Sequence, residues 1–384
     1  MTDREKIIKA LAPLRASDTA VQEVLEMAEH RNTHTIKKSS RTILIAAVVA
    51  VLLIGTALAA YSGLSAGLRE YLHVTDDTAA KADAMGLVSD PIVSDTHDGV
   101  TVSVERAVAD GNAAFIALRV EGLEVPEGRS PTWGSVQITL DGERASNWDF
   151  GAYADMTWDG EKFCYSDGTA APLTEEGVPI PRYFQADGTL EFDLSIAPQW
   201  GEDTSLVGRE MQVTISRLGT EPVSVRYIPE EERDYTAEGP WVLTWTLDGS
   251  DIVRTWKPNA ALGDTGATVT SVTLSALAVH IDYDYPMQLF DEIGFDQDGN
   301  ETVEQSVMEP PFLYKIVMKD GTEYTGVLGG GTCGYTDDMN TYELDMGLTH
   351  IIDPDEVAAL VFWETVLGDV PDSEVEFYTV TLPD

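Results

Sequence analysis

The stretch from Ile43 to Tyr61, ILIAAVVAVLLIGTALAAY, constrains this chain more than any other feature. It runs for 19 residues without a charge. As a helix rising 1.5 Å per residue it would be roughly 28 Å long, about the thickness of a bilayer's hydrocarbon core. A helix satisfies every backbone N–H and C=O within one segment, as lipid demands. A buried core helix is the competing reading. Lys37, Lys38 and Arg41 stand just before the run, and only Arg69 stands close after it. The positive-inside bias then puts the N-terminus in the cytoplasm and the C-terminal bulk outside a plasma membrane. Ala57-Leu58-Ala59 looks like a small-residue cleavage site, but 42 residues precede the run, more than a signal peptide usually carries. The expectation is an uncleaved, single-pass anchor over 43–61.

Charge divides at the same place. Residues 1–42 hold eight of the 24 basic side chains and six of the 66 acidic ones, a net of +2 against −42 for the whole chain. The acidic excess therefore lies beyond the anchor. Such a surface repels nucleic acid and anionic lipid, attracts cations, and promotes solubility. Two cysteines, Cys164 and Cys333, are too few for a disulfide scaffold. A bridge between them would need the two halves of the outer chain to pack closely; two separate buried small hydrophobes is the preferred reading.

Before the anchor, DREKIIKALA places Ile7, Ile8 and Leu11 on one helical face, and Pro13 ends it. Thr19 and Gln22 then form a capping box, followed by Val21, Val24, Leu25 and Ala28 at helical spacing. A piece of 42 residues cannot bury enough apolar surface to be stable alone. Because the second helix is acidic on its polar face, a protein partner fits these stripes better than a lipid surface. His30 and His34, at i and i+4, have no third metal ligand nearby and read as linker.

After the anchor, residues 62–90 read as a helical neck, with Leu64, Leu68 and Leu72 on one face and Asp76-Asp77-Thr78 marking a break or a new cap. From Pro91 the period changes to two. Val100, Val102 and Val104 alternate with polar residues, Asp110-Gly111-Asn112 turns the chain, and Ala114 to Val120 runs back. Strands are expected at 135–140, 190–196, 211–215, 223–227 and 241–247, then at 267–274, 277–283, 312–319, 324–328, 358–364 and 375–382. A polar break at 257–263 separates two blocks. The fold class is therefore mainly β, with domains over 1–42, 43–61, 62–90, 91–256 and 257–384, the last two as β-sandwiches.

No catalytic constellation stands out, and the expectation is a non-enzyme without cofactor or resident metal. Gly63-Leu64-Ser65-Ala66-Gly67 matches G-x-S-x-G but lacks the preceding strand that the motif needs. Asp296, Asp298 and Asn300 match the first ligand positions of a calcium loop, yet Val307 occupies the twelfth, and Asp-Gly-Asn is also a good hairpin turn. Gly329-Gly330-Gly331 lacks the Lys-Ser/Thr of a phosphate loop. Trp133, Trp148, Phe150, Tyr153, Trp158, Phe163 and Tyr165 could stack on sugars or fill a core. His73, His97, His280 and His350 have no Ser or Cys at a telling spacing.

The layout has a counterpart. LRASDTAVQEVLEMAE, the basic flank, the anchor, the neck GLREYLHVTDDTAAKADAMG and the strand pair DGVTVSVERAVADGNAAFIALRVEGLE resemble the Gram-positive bacterial family that carries the domain of unknown function 4179. The resemblance covers residues 5 to about 125; WVLTWTLDG and the second block resemble, more loosely, that family's immunoglobulin-like companion domain. It implies an anti-sigma-factor-like regulator whose cytoplasmic piece holds an extracytoplasmic-function sigma factor until an outside signal frees it. Ile7, Ile8, Leu11, Val21, Val24, Leu25 and Ala28 would carry that contact, without the H-x3-C-x2-C pattern of zinc-type anti-sigma domains. The alternative is an anchored surface protein whose acidic sandwiches bind a cell-wall component, glycan or cation.

Overall fold

The computed structural model describes residues 64–384 apart from 185–187, 199, 201–204, 225–227, 296–300, 364–374 and 384. The anchor at 43–61 and the stripes at Ile7, Ile8, Leu11, Val21, Val24, Leu25 and Ala28 lie outside the described residues. Among the described residues no helix is long and apolar enough to cross a membrane.

The chain enters through two short helices, α1 (Ala66–Tyr71) and α2 (Asp76–Ala84). Ser65 caps α1, its side chain accepting from the Leu68 N–H. The break between the helices is a capping box, in which the Thr75 hydroxyl accepts from the Thr78 N–H and the Thr78 side chain accepts from the Thr75 N–H. After them the regular elements among the described residues are strands, apart from single 3-10 turns at Glu230–Glu232 and Pro354–Glu356.

Alternation then sorts side chains between layers. Val100, Val102 and Val104 turn to one core; Ile116, Leu118 and Val120 join them from the returning strand. Ala109 and Ala114 close that hairpin as register partners. Leu190–Ile196 pairs with Ala114–Glu121 on one side and Trp148–Ala152 on the other, contributing Leu190, Phe192, Leu194 and Ile196. The opposing sheet is built on two long strands, Glu210–Pro222 and Asp234–Thr246, flanked by Val136–Leu140 and Arg129–Trp133. Trp241 sits fully buried between the layers, and its Nε1 donates to the Val100 carbonyl at 2.9 Å. This is the first two-sheet lobe.

The second lobe repeats the plan with a different topology. Thr268–Ser275, Ala278–Asp284, Thr341–Leu348 and Leu328–Tyr335 form one layer; Phe312–Met318, Val357–Trp363 and Phe377–Thr381 form the other. Tyr283, Tyr342 and Phe362 fill the space between, and the buried Tyr283 hydroxyl donates to the Pro311 carbonyl. The Leu289–Phe295 and Glu301–Val307 strands pair as a separate antiparallel ribbon.

Several expected strands differ from the structure. Met211–Ile215 is the first half of a strand running from Glu210 to Pro222, and the strand expected at 223–227 is absent at Val223 and Ser224, with 225–227 outside the described residues. Leu328 does not close the hairpin begun at Asp320; Leu328–Tyr335 pairs instead with Thr341–Leu348 in the other layer. Its glycines carry no alternation to read.

One close approach fixes how the long strands of the first lobe cross. At Gly219, beside a register shift, an added Cβ would lie 2.6 Å from Tyr235 Cα and nearer still to the Asp234 carbonyl. Gly219→Ala should therefore destabilise the chain by about 2 kcal/mol or more, since backbone has no rotamer to yield. Gly334→Ala, which meets nothing within 4 Å, should change stability by less than about 0.5 kcal/mol. Urea denaturation of both variants, read as a shift of midpoint at constant slope, checks the pair.

Candidate functional site: the neck junction

The third apolar cluster belongs to neither lobe alone. Leu64, Leu68, Leu72, Val74, Ala82 and Leu87 come from the neck, Val108, Ala113, Phe115 and Ala117 from the first lobe, and Ala276, Leu277, Ala278 and Ile351 from the second. Of the three leucines expected on one helical face, Leu68 lies within α1, while Leu64 precedes its cap and Leu72 ends it; all three are buried here. Each fully buried leucine stabilises this contact by roughly 1.5–3 kcal/mol. It also explains the near-continuous apolar run AAFIALRV: even positions face the lobe core while Phe115 and Ala117 face the neck. A strand covered on both faces loses its alternation.

Beneath that cluster a carboxylate joins the lobes. Asp110, in the hairpin turn, is 1% exposed. Its Oδ1 accepts from the Asn112 and Ala113 N–H groups, both at 2.8 Å, and its Oδ2 accepts from Leu277 N–H at 2.8 Å across the junction. The Ser275 side chain adds a hydrogen bond. Burial pushes its carboxyl up, and the donors from Ala113, Asn112, Ser275 and Leu277 pull the other way. The turn is held from behind as well: Gly111 N–H donates to Ser250 O, and Leu206 N–H to Gly111 O.

The neck touches both lobes through polar groups too. Tyr71 packs on Phe115 with ring centroids 5.0 Å apart, and its hydroxyl reaches the backbone of Gly330 in the second lobe. His73, held at a positive φ of 47°, donates from Nδ1 to the Thr349 carbonyl at 3.1 Å. Its ring stacks on His350 at 4.8 Å.

Under α1 lies an acidic pair. Glu191 and Asp193, two apart on one strand, project from the face opposite the core. Glu191 is fully buried and accepts from Ser65 Oγ at 2.5 Å. Asp193 Oδ1 is buried with no donor to meet it among the described residues. Burial, then the neighbouring Glu191 and Glu70, push the Asp193 carboxyl up to about 8. Gly67 sits directly above: a Cβ there would lie 2.6 to 2.8 Å from three oxygens of the pair.

The residues singled out in the sequence fall as follows. Ser65, of the G-x-S-x-G match, caps α1 and binds Glu191. His97 pairs with Asp95 at 3.3 Å. His280 is clamped by Asp345 at 2.6 Å and Asp282 at 3.1 Å; burial lowers its pKa, but the two carboxylates outweigh this and lift it to about 10. Trp133 and Phe150 are packed against Phe192, while Trp158 and Phe163 stand exposed on a small hairpin. Cys164 is buried and Cys333 exposed, both free, so the second is not a buried hydrophobe. Asp296, Asp298 and Asn300 lie outside the described residues. No group of three or more His, Cys, Asp or Glu is placed to hold a metal among the described residues.

No protein-family model matches the chain, and no curated protein is similar to it in sequence. Among solved structures, a conserved domain protein from Bacillus anthracis is similar at 14% identity. That likeness covers 76% of this chain and 88% of the other, with a TM-score of 0.37.

Burial and the His73 ring both lower the His350 pKa. A depressed histidine contributes stability above its ordinary value near 6.5, lost as pH falls toward the lowered one. An NMR titration should therefore place the His350 midpoint below 6.5, and His73→Asn should raise it, leaving burial as the remaining cause.

Proposed function

We propose that this chain is a single-pass relay of the anti-sigma-factor type, with a sensor body outside the membrane and a partner held on the cytoplasmic side. The observation that supports it best is the neck. It begins directly after the apolar run in the chain, and its leucines are buried against both lobes at once. Any ligand that shifts one lobe relative to the other has to disturb the neck. In this reading the two lobes are immunoglobulin-like sandwiches, and the run 43–61 carries the change across the bilayer. The stripes Ile7/Ile8/Leu11 and Val21/Val24/Leu25/Ala28 hold the partner, which the resemblance to the domain-4179 family makes an extracytoplasmic-function sigma factor.

A second reading, a surface protein that binds a wall glycan, draws on one patch. Trp363 and Phe377 are exposed on the second lobe's outer layer, with Tyr314 at 5.3 and 5.2 Å from them. Aromatic faces stack on sugars, and the rings stand together.

Val24→Asp with Leu25→Asp separates the two. Losing two buried apolar side chains should weaken a cytoplasmic complex by about 3 kcal/mol or more, a hundred-fold or greater. Pull-down with residues 1–42 should recover a sigma factor from wild type and not from the double variant, and transcription from that factor's promoters should rise. Recovery of no sigma factor, with an unchanged transcriptome, favours the glycan-binding reading.

A further inference from the structure

We propose that Glu191 and Asp193 form a proton-operated latch on the neck: with one proton shared between them they hold α1 against the first lobe, and when that proton leaves they loosen it. It rests on the docked neck of the proposed relay and not on the cytoplasmic partner.

Asp193 and Glu191 are close enough to share a hydrogen bond, which two carboxylates can make only if one is protonated. Asp193 Oδ1 has no other donor among the described residues. The Ser65 hydroxyl, at the first turn of α1, donates its proton to Glu191 Oε1. Gly67, one turn in, approaches so closely that any side chain would strike the pair. Helix and carboxyls are thus in contact with no room for water between Gly67 and the oxygens.

The surroundings make the bound proton matter. From α1, Glu70 faces the pair. From beyond the Trp148–Ala152 strand, Tyr153 donates its hydroxyl to Glu70, and burial followed by the charge of Glu70 pushes the phenol up. Gly151 stands opposite Asp193, and Asp149 opposite Ser195. On the other flank Arg119 stands opposite Glu191, with its Nε on Glu121 Oε1 at 2.9 Å. Ionising Asp193 here adds a third carboxylate to a site built around two. Like charges this close disfavour each other's ionised form.

The sign follows. A carboxyl raised in the folded state, here to about 8, contributes stability that is complete below about 4 and is lost as pH rises through 8. The latch is therefore closed in mildly acidic medium and loosens toward alkaline pH. Since Leu64, Leu68 and Leu72 stay apolar and buried, ionisation raises the frequency of α1 opening rather than expelling the neck. The sequence conceals this because LEFDLSI alternates cleanly. Alternation marks Glu191 and Asp193 as facing away from the core but does not say that a helix covers them.

Hydrogen exchange on the purified full chain tests the latch, read as protection factors corrected for intrinsic rates between pH 5.5 and 9. Protection over residues 66–72 should fall by up to about ten-fold per pH unit from pH 5.5 to about 8, because opening α1 exposes the pair and releases its proton, and should level off above 8, while residues 268–284 hold theirs. In Asp193→Asn the amide donates to Glu191 at every pH, so the fall should vanish. A flat wild-type profile, or the wild-type slope persisting in Asp193→Asn, overturns the proposal. If Asp193→Asn unfolds, lost protection at 268–284 reveals it, and Gly67→Ala then decides. Its methyl group should leave α1 poorly protected at all pH values with 268–284 intact; α1 protection that still follows pH in Gly67→Ala overturns the latch. Because sigma-factor recovery is scored separately, either idea can fail without the other.

Discussion

One buried carboxylate sets the geometry on which the rest depends. Asp110 sits at the end of the first hairpin, and its oxygens accept from two N–H groups of its own turn and from Leu277 of the second lobe. Taking a carboxylate out of water costs several kcal/mol even after relaxation. Charge-assisted hydrogen bonds from Asn112, Ala113, Leu277 and Ser275 offset that cost only when both lobes are in place. Separation would leave an anion facing an apolar wall, or admit water to it. The contact is therefore conditional on assembly, which gives it specificity beyond its net energy.

That contact also creates the neck's seat. Ala276 and Ala278 flank the Leu277 donor, and Ala113 is itself a donor in the accepting turn; all four residues belong to the cluster that receives Leu68 and Leu72. Apolar burial supplies most of the holding energy, since four leucines at roughly 1.5–3 kcal/mol each exceed any single polar contact there. The polar groups supply direction instead. Ser65 on Glu191, Tyr71 on Gly330 and His73 on Thr349 fix how α1 lies across the two lobes. An acidic pair under one end and a histidine pair at the other answer to pH with opposite signs.

Much of the β architecture was legible because period two survives wherever one face meets a core. Val100 to Val104 and Leu190 to Ile196 show it plainly, and the latter strand has the expected bounds. Leu68 likewise lies on the buried side of a helix, although α1 is shorter than expected, with Leu64 before its cap and Leu72 at its end, and the expected break before the second helix is a real cap at Thr75. What stayed hidden depended on tertiary neighbours. Asp110 looked like one turn residue among many, because nothing local distinguishes a solvated aspartate from one aimed at a backbone N–H 167 residues away. Leu328–Tyr335 is a strand despite four glycines, since its partner rather than its composition decides it. Phe150 proved to be core with Trp133 half-buried against it, whereas Trp158 and Phe163 stand exposed, a distinction that aromatic content could not make.

The central claim is that the Asp110 contact makes the two lobes and the neck one cooperative body, and differential scanning calorimetry of the full chain tests it most directly. With Asp110 intact, residues 64–384 should unfold in a single transition. Asp110→Ala should split that transition in two, as each lobe keeps its own core while the shared seat is lost. Two separate transitions in the wild-type chain, or one unsplit transition in Asp110→Ala, would contradict the account.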